Sequence, residues 1–456
     1  RAKEPSTASI SECSGSPRRQ GPAHAARGSG PQRTAAAPQE SESEAASGSG
    51  EKQDEEEYTS DSYDESASSA APPPPKAKGK AAAAKKKEEI AHFSWKVGMM
   101  LRSRYQVAEL LGDGTFGRVL LADDLKKNRR VAVKVIRNVE KYTKNAKREA
   151  EILKDIRAAM TEKASGCVVM HETFVHTEGE ERFFCMSFEV LGGSLYDFLK
   201  KNRFRGFWVQ DIQDIARQCL QALSFLHDDL NLTHTDLKLE NVLFQSEEPP
   251  RPSTFPREAA WRDSRAKRRD APVAPYVRPA STKIKLIDFG NATYELEHHS
   301  TIINTRQYRA PEVILALGWD ERSDLWSTGC ILMELYTGEL LFRTHESLEH
   351  LALMERAIET FPGQMLSLAA TTARQEQFLV MDPPGSGRWR LHWPELAKSP
   401  ASDTHVKSQR KMSQLVESQH SSLADFSASL LILEPSRRPS AKAALAHPFL
   451  FDSFDD

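Results

Sequence analysis

Four side chains in this chain have the types and the order that moving a phosphoryl group requires. The run His234-Thr235-Asp236-Leu237-Lys238-Leu239-Glu240-Asn241 sets a carboxylate, an ammonium and an amide close together. Asp288-Phe289-Gly290 adds a second carboxylate downstream, and Ala310-Pro311-Glu312 follows it. In phosphoryl transfer Asp236 would accept the proton of a substrate hydroxyl. Lys238 would offset charge on the moving group, and Asn241 with Asp288 would hold a magnesium ion (Mg2+) against the phosphates of ATP. A lone Asp two residues after a His is ordinarily structural. Here every one of those chemical roles has a candidate, which argues against a catalytically silent scaffold.

A second group lies upstream. Leu111 precedes Gly112-Asp113-Gly114-Thr115-Phe116-Gly117, and Val119 follows. Dinucleotide-binding folds share this glycine spacing, but there the glycines open a helix. Arg118-Val119-Leu120-Leu121 reads instead as a strand. Glycines at Gly112, Gly114 and Gly117 let backbone amides approach phosphates without a side-chain clash. Ala132 and Lys134 sit in Val131-Ala132-Val133-Lys134. Lys134 is placed to contact the α- and β-phosphates and needs an acidic partner. Glu149 is the candidate, with Glu151 as its rival.

Several elements must position these groups. Tyr105 to Leu111, Arg118 to Ala122 and Arg130 to Ile136 read as strands around the glycine turn. Lys144 to Ile156 has helical apolar spacing. Phe183 to Leu191 reads as a strand running into Gly192-Gly193, a hinge. Ile212, Ile215, Ala216, Cys219, Leu223 and Leu226 share one helix face. Asp324 to Tyr336, nearly all apolar, reads as a buried helix. Short strands at Asn241 to Phe244 and Ile284 to Ile287 flank Gln245 to Thr282, read as an insertion loop with a basic run at Arg262 to Arg269. Gly363 to about Ser422 reads as polar and irregular, ahead of a last helical stretch.

Composition bounds the rest. The chain has 456 residues and a formal net charge of −2, so it is not a globally basic nucleic-acid binder. Up to about residue 90 the only aromatics are Tyr58 and Tyr63. Such a segment buries too little apolar surface to offset its chain entropy, and residues 1–92 are expected to be a disordered tail. Its acidic, serine-rich part (Glu40 to Glu65) reads as a solvated tail or as a site of phosphorylation. The basic run Lys76 to Lys87 reads as solvated or as a nuclear localisation signal. The 5 cysteines are scattered without metal-type spacing, as in reduced intracellular proteins. No apolar run approaches a membrane span, and no membrane partner is expected.

From the catalytic run onward the chain resembles the eukaryotic protein kinases. Within them, Glu349-His350-Leu351-Ala352-Leu353-Met354-Glu355-Arg356 resembles the EHLAMMER signature of the LAMMER (Cdc-like) dual-specificity kinases, departing only at Leu353. Ala292-Thr293-Tyr294, Glu297-His298-His299-Ser300-Thr301, Val313 to Trp319 and His234-Thr235-Asp236 are similar to the same family. The likeness covers about residues 92 to 452. It implies an α+β bilobal kinase fold, with a small antiparallel β lobe over 93–190 and a larger helical lobe over 191–452, insertions at about 245–282 and 363–422. It also implies that Phe188 guards the adenine site, that Glu189 and Leu191 present hinge backbone groups, and that Asp197 reaches the ribose. Glu312 would pair with Arg438, and Asp324 would hold the catalytic-loop backbone.

Three departures from the family pattern carry information. Thr235 stands where most kinases have the arginine that clamps an activation-loop phosphate, so activity is expected not to need that clamp. Leu239 replaces a proline. The tail lacks Arg-Ser runs. The resemblance implies protein substrates, among them serine/arginine-rich splicing factors, with ATP and Mg2+ as cofactors and the nucleus as the main compartment, the cytoplasm a second. A monomer without direct nucleic-acid binding is expected. Glu240 reads either as a partner for a substrate arginine or as a loop glutamate. The other readings are a different kinase of the same branch, whose YxY motif is absent between Asp288 and Glu312, and a scaffold for splicing proteins.

Overall fold

Alternation of apolar and polar residues from Tyr105 onward produces the sheet that carries the glycine turn. The structure, a computed structural model, describes residues 92–160, 166–259, 261, 275–372 and 375–454. Strands β1 (Met100–Leu101), β2 (Tyr105–Gly114), β3 (Gly117–Asp124) and β4 (Arg129–Ile136) run antiparallel in sequence order. Strands β5 (Met170–Glu178) and β6 (Glu181–Phe188) complete a six-stranded sheet in the order β1-β2-β3-β4-β6-β5. β2 and β3 stay paired to Gly114 opposite Gly117, so the glycine run is a hairpin tip on an extended ladder. Tyr105, Val107, Leu120, Val131, Val133 and Phe183 fill one face of this sheet.

On the other face lies helix α1 (Glu140–Ala159), longer at both ends than its apolar spacing indicates. It buries Ala146, Ala150, Ile152, Leu153 and Ile156 together with Glu149. Burying a carboxylate in that stripe is costly unless a cation meets it. β5 has no sequence counterpart above, because His171, Glu172 and Thr173 interrupt its apolar residues. The stretch expected to be strand to Leu191 leaves the sheet after Phe188.

Past the hinge the chain is helical. Helix α2 (Leu195–Lys201) starts with a capping box, Ser194 Oγ accepting from the Asp197 amide and Asp197 accepting from the Ser194 amide. Helix α3 (Val209–Ser224) buries Ile212, Ile215, Ala216, Cys219 and Leu223 as the spacing requires. Helix Arg322–Thr337 is buried along nearly its whole length and ends at Gly338 with φ +75°. A Cβ at Gly338 would lie 1.9 Å from the Phe204 carbonyl oxygen, so only glycine fits there. Strands Val242–Phe244 and Ile284–Leu286 pair antiparallel beneath the hinge.

Two segments differ from their sequence reading. The insertion after Gln245 is not only a loop. Arg251–Ser253 pairs with Tyr276–Arg278, and Arg278 forms an ion pair with Asp211 of α3 at 2.6 Å while lying over the Trp208 ring. The segment from Gly363 is ordered by short elements: helix Gly363–Ala369, a hairpin of Leu379–Met381 with Trp389–Leu391, and helix Pro400–Ser408. Met365, Leu366, Leu379, Leu391 and Val406 are buried, in apolar groups too short to show a period. The expected tail up to residue 91, with Cys13 and the Lys85 to Lys87 run, and the basic run Arg262 to Arg269 lie outside the described residues. Cys167, Cys185, Cys219 and Cys330 are buried and unbridged. Among the described residues no helix is long and apolar enough to cross a membrane.

Candidate active site

The cleft between sheet and helices gathers the residues that the sequence singled out. Lys134, on β4, reaches across to α1, where its Nζ lies 3.0 and 2.9 Å from Glu149 Oε1 and Oε2. Glu151, the rival, faces solvent and pairs with Lys154. Asp288 Oδ1 stands 3.8 Å from the same ammonium. Burial pulls the Lys134 ammonium down, but Glu149 and then Asp288 outweigh it, so its pKa is raised. Burial pushes the Glu149 carboxyl up, against the pull of Lys134. At Asp288 burial also pushes upward, but Lys134, His234 and Lys238 together hold it below the usual range. The three groups form one cluster in which the Lys134 ammonium lies between the Glu149 and Asp288 carboxylates.

The loop bearing Asp236 is fixed from beneath. Asp324, at the start of helix Arg322–Thr337, accepts the amides of His234 at 2.8 Å and Thr235 at 3.0 Å. Both of its oxygens are therefore engaged by backbone, and His227 Nε2 lies 2.9 Å from one of them. Asp236 Oδ1 accepts from the Thr305 amide at 3.0 Å and the Thr305 hydroxyl at 2.7 Å. Lys238 Nζ donates to Asp236 Oδ2 at 3.0 Å and to Thr305 Oγ1 at 3.1 Å. Burial lowers the Lys238 pKa, and Asp236 more than reverses this. One hydroxyl already rests on the Asp236 carboxylate, in the manner required of a substrate hydroxyl. Thr305 was missed in the sequence, because no local pattern links it to Asp236.

Asn241 donates from Nδ2 to the Asp236 carbonyl at 2.8 Å, which leaves its Oδ1 as the end available to a cation. Asp288, held at φ +63°, offers a half-exposed carboxylate. Oxygen donors of this kind suit a hard divalent ion that also takes phosphate oxygens and water. Among the described residues no cluster of three His, Cys, Asp or Glu side chains is arranged to hold a metal on its own.

The nucleotide-facing candidates line the same cleft. Gly112 and Gly114 sit at the open hairpin tip, where a Cβ would meet little, whereas a Cβ at Gly117 would lie 2.2 Å from the Val135 carbonyl oxygen. Leu111 is exposed at the tip, and Val119 is partly buried on β3. Ala132 pairs with Phe188 across β4 and β6, and both are buried. Glu189 turns its side chain to the hinge's support, accepting from the Val169 amide at 2.8 Å and pairing with Lys285 at 3.1 Å. Leu191 is partly buried just before Gly192. Asp197 Oδ2 closes the α2 cap, accepting from the Ser194 amide at 3.0 Å and its hydroxyl at 2.7 Å.

Comparison with known proteins agrees with this geometry. The protein kinase domain model matches residues 105–450. The serine/threonine-protein kinase AFC2 of Arabidopsis thaliana is 40% identical over 363 residues, spanning 78% of this chain and 79% of the relative. The human dual specificity protein kinase CLK2 is 38% identical over 360 residues, spanning 78% of this chain and 66% of that protein. The crystal structure of the PF14_0431 kinase domain superposes with a TM-score of 0.71 at 42% identity, covering 80% of this chain and all of that one. With the lysine–glutamate pair, the Asp236 loop and the Asp288 carboxylate assembled in one cleft, the chain belongs to the protein kinases and, within them, to the LAMMER (Cdc-like) dual-specificity family.

Proposed function

We propose that this kinase transfers the γ-phosphoryl group of magnesium-bound ATP to serine and threonine hydroxyls flanked by arginine, as in serine/arginine-rich splicing factors. One observation carries the substrate class. Glu240 Oε2 is buried and has no hydrogen-bond partner. Burial raises the Glu240 carboxyl, and its own backbone amide and then Lys238 only partly offset this. Nearby, buried Glu334 accepts from the Tyr308 hydroxyl at 2.6 Å, and its pKa is pushed up to about 8, by burial and then by repulsion from Glu240. Glu334 is thus mainly neutral near pH 7, and Glu240 is the under-compensated carboxylate beside the catalytic loop that asks for a cation. A substrate guanidinium would supply it with charge-assisted, bidentate hydrogen bonds.

In the transfer, Asp236 receives the substrate hydroxyl proton, and Lys238 offsets charge on the transferring group. Lys134, steadied by Glu149, orients the α- and β-phosphates. Gly112, Gly114 and Gly117 cover the phosphates with backbone amides. Asn241 and Asp288 hold the magnesium ion, which neutralises charge on the phosphates when bound. Ala132, Val119, Leu111 and Phe188 enclose the adenine, Glu189 and Leu191 meet its edge through their backbone, and Asp197 faces the ribose. The protein acts as a monomer in the nucleus on protein substrates, without direct nucleic-acid contact.

The test is a magnesium-dependent phosphorylation assay on an arginine/serine-repeat peptide, a proline-directed peptide and an acidic peptide. Preference for the first is expected, with activity abolished in Asp236→Asn and the preference reduced about tenfold in Glu240→Gln, the scale of one lost charge-assisted contact. Equal activity on all three peptides would remove the arginine-directed reading and keep the kinase.

A further inference from the structure

Helix α1 presents Arg148 and Asp155 on one exposed side, two turns apart. The segment following Asp288 meets both. The Tyr294 hydroxyl donates to Asp155 Oδ2 at 2.7 Å, and Glu297 pairs with Arg148. The two ends match in sign: a donor meets the acid and an acid meets the base. Thr293–Tyr294 also pairs antiparallel with Leu232–Thr233, immediately before His234. One short strand therefore ties the catalytic loop to the helix that carries Glu149. Burial, Asp155 and Glu297 all raise the Tyr294 hydroxyl, while Arg148 lowers it.

We propose that Tyr294 is a phosphorylation site that works as an off switch, its phosphate repelling Asp155 and so loosening α1 behind Lys134. In the modifying step the Tyr294 oxygen bonds to the γ-phosphorus of ATP. The bond from that phosphorus to the β,γ-bridging oxygen breaks, ADP leaves, and the hydroxyl proton passes to the modifying kinase's base. The modified oxygen no longer donates, and a dianion then faces Asp155 and Glu297. Arg148, the neighbouring cation, is already held by Glu297. The inference does not rest on arginine-directed substrate choice.

The test uses the full chain carrying phosphotyrosine at position 294, introduced during translation, beside the unmodified chain and Tyr294→Phe. Two quantities are read: phosphorylation of the three peptides named above, and hydrogen exchange of the α1 amides. Phosphotyrosine is expected to lower kcat/KM by about tenfold and to speed α1 exchange, with Tyr294→Phe within about threefold of the unmodified chain. Asp155→Asn in the phosphorylated chain relieves the repulsion and is expected to recover at least half of the loss. Undiminished activity, unchanged α1 exchange, or no recovery in Asp155→Asn overturns the proposal. If the unmodified chain ignores the arginine peptide, the substrate reading fails while the exchange readout still tests the switch.

Discussion

Thr235 holds a β-branched side chain at φ +67°, a conformation that costs such a residue about 1–3 kcal/mol. Four contacts keep it there. Its amide donates to Asp324 at 3.0 Å and its hydroxyl to the Asn291 carbonyl at 2.8 Å. Its own carbonyl accepts the Asn304 amide at 2.9 Å and Asn304 Nδ2 at 3.0 Å. Asn291 and Asn304 both lie within the activation segment, between Asp288 and Glu312, so a hydroxyl holds that segment where other kinases use an arginine and a phosphate. Phosphatase-treated protein is therefore expected to keep its activity within about twofold, and Thr235→Val, which keeps the shape and removes the donor, to lose about 0.5–1.5 kcal/mol of stability. Inert dephosphorylated protein that revives on phosphorylation of one loop residue would refute this. Glu334 supplies a second residue-scale prediction. Its carboxyl is raised to about 8, so the folded chain keeps a proton that the unfolded chain releases above the ordinary carboxyl value. Its contribution to stability is whole below that ordinary value and is lost as pH rises toward 8. Thermal melts from pH 5 to 9 should show the wild type falling relative to Glu334→Gln, and parallel curves would contradict it.

At the scale of elements, the glycine hairpin separates two uses of glycine that the sequence writes alike. Gly112 and Gly114 leave open space, while Gly117 packs its backbone against Val135 on β4. Gly117→Ala would push a Cβ into backbone that cannot move away cheaply, and should cost about 1–3 kcal/mol by overpacking. Gly112→Ala should leave the melting temperature of the nucleotide-free protein nearly unchanged, and equal losses in the two variants would count against this difference. The hairpin, α1 and α3 were legible beforehand, because each repeats its apolar residues at a strand or helix period, and helix Arg322–Thr337 because it is nearly all apolar. β5 was not, since polar residues break its alternation, nor was the packing of the segment after Gly363, whose apolar groups are too short to carry a period. Asp236, Lys238, Asn241 and Asp288 were legible as a set through their fixed order. Thr305, which donates to Asp236 from far along the chain, has no such neighbours, and neither does the Glu240 and Glu334 pair. Contacts of that kind exist only once the elements have packed.

Across the whole molecule, the end of the activation segment is tied to the far end of the helical lobe by one fully buried ion pair. Arg438 donates to Glu312 Oε1 and Oε2 at 2.7 and 2.6 Å, and neither side chain is exposed to solvent. The rest of the guanidinium is satisfied by the carbonyls of Ile432, Arg322 and Leu433, and it lies 5.1 Å from the centre of the Trp326 ring. A buried pair gains little over an apolar replacement of the same size, because desolvation offsets most of the attraction. Removing one partner is different, for it leaves an uncompensated charge in the core. Arg438→Met should therefore destabilise the protein by about 3–5 kcal/mol, and adding Glu312→Gln to it should restore part of that loss by neutralising the orphaned carboxylate. Urea unfolding of the two single variants and the double variant measures this directly. If the double variant were as unstable as the sum of the singles, the pair would be acting through packing alone, and the activation segment would owe its anchorage to Pro311 and Val313 rather than to charge.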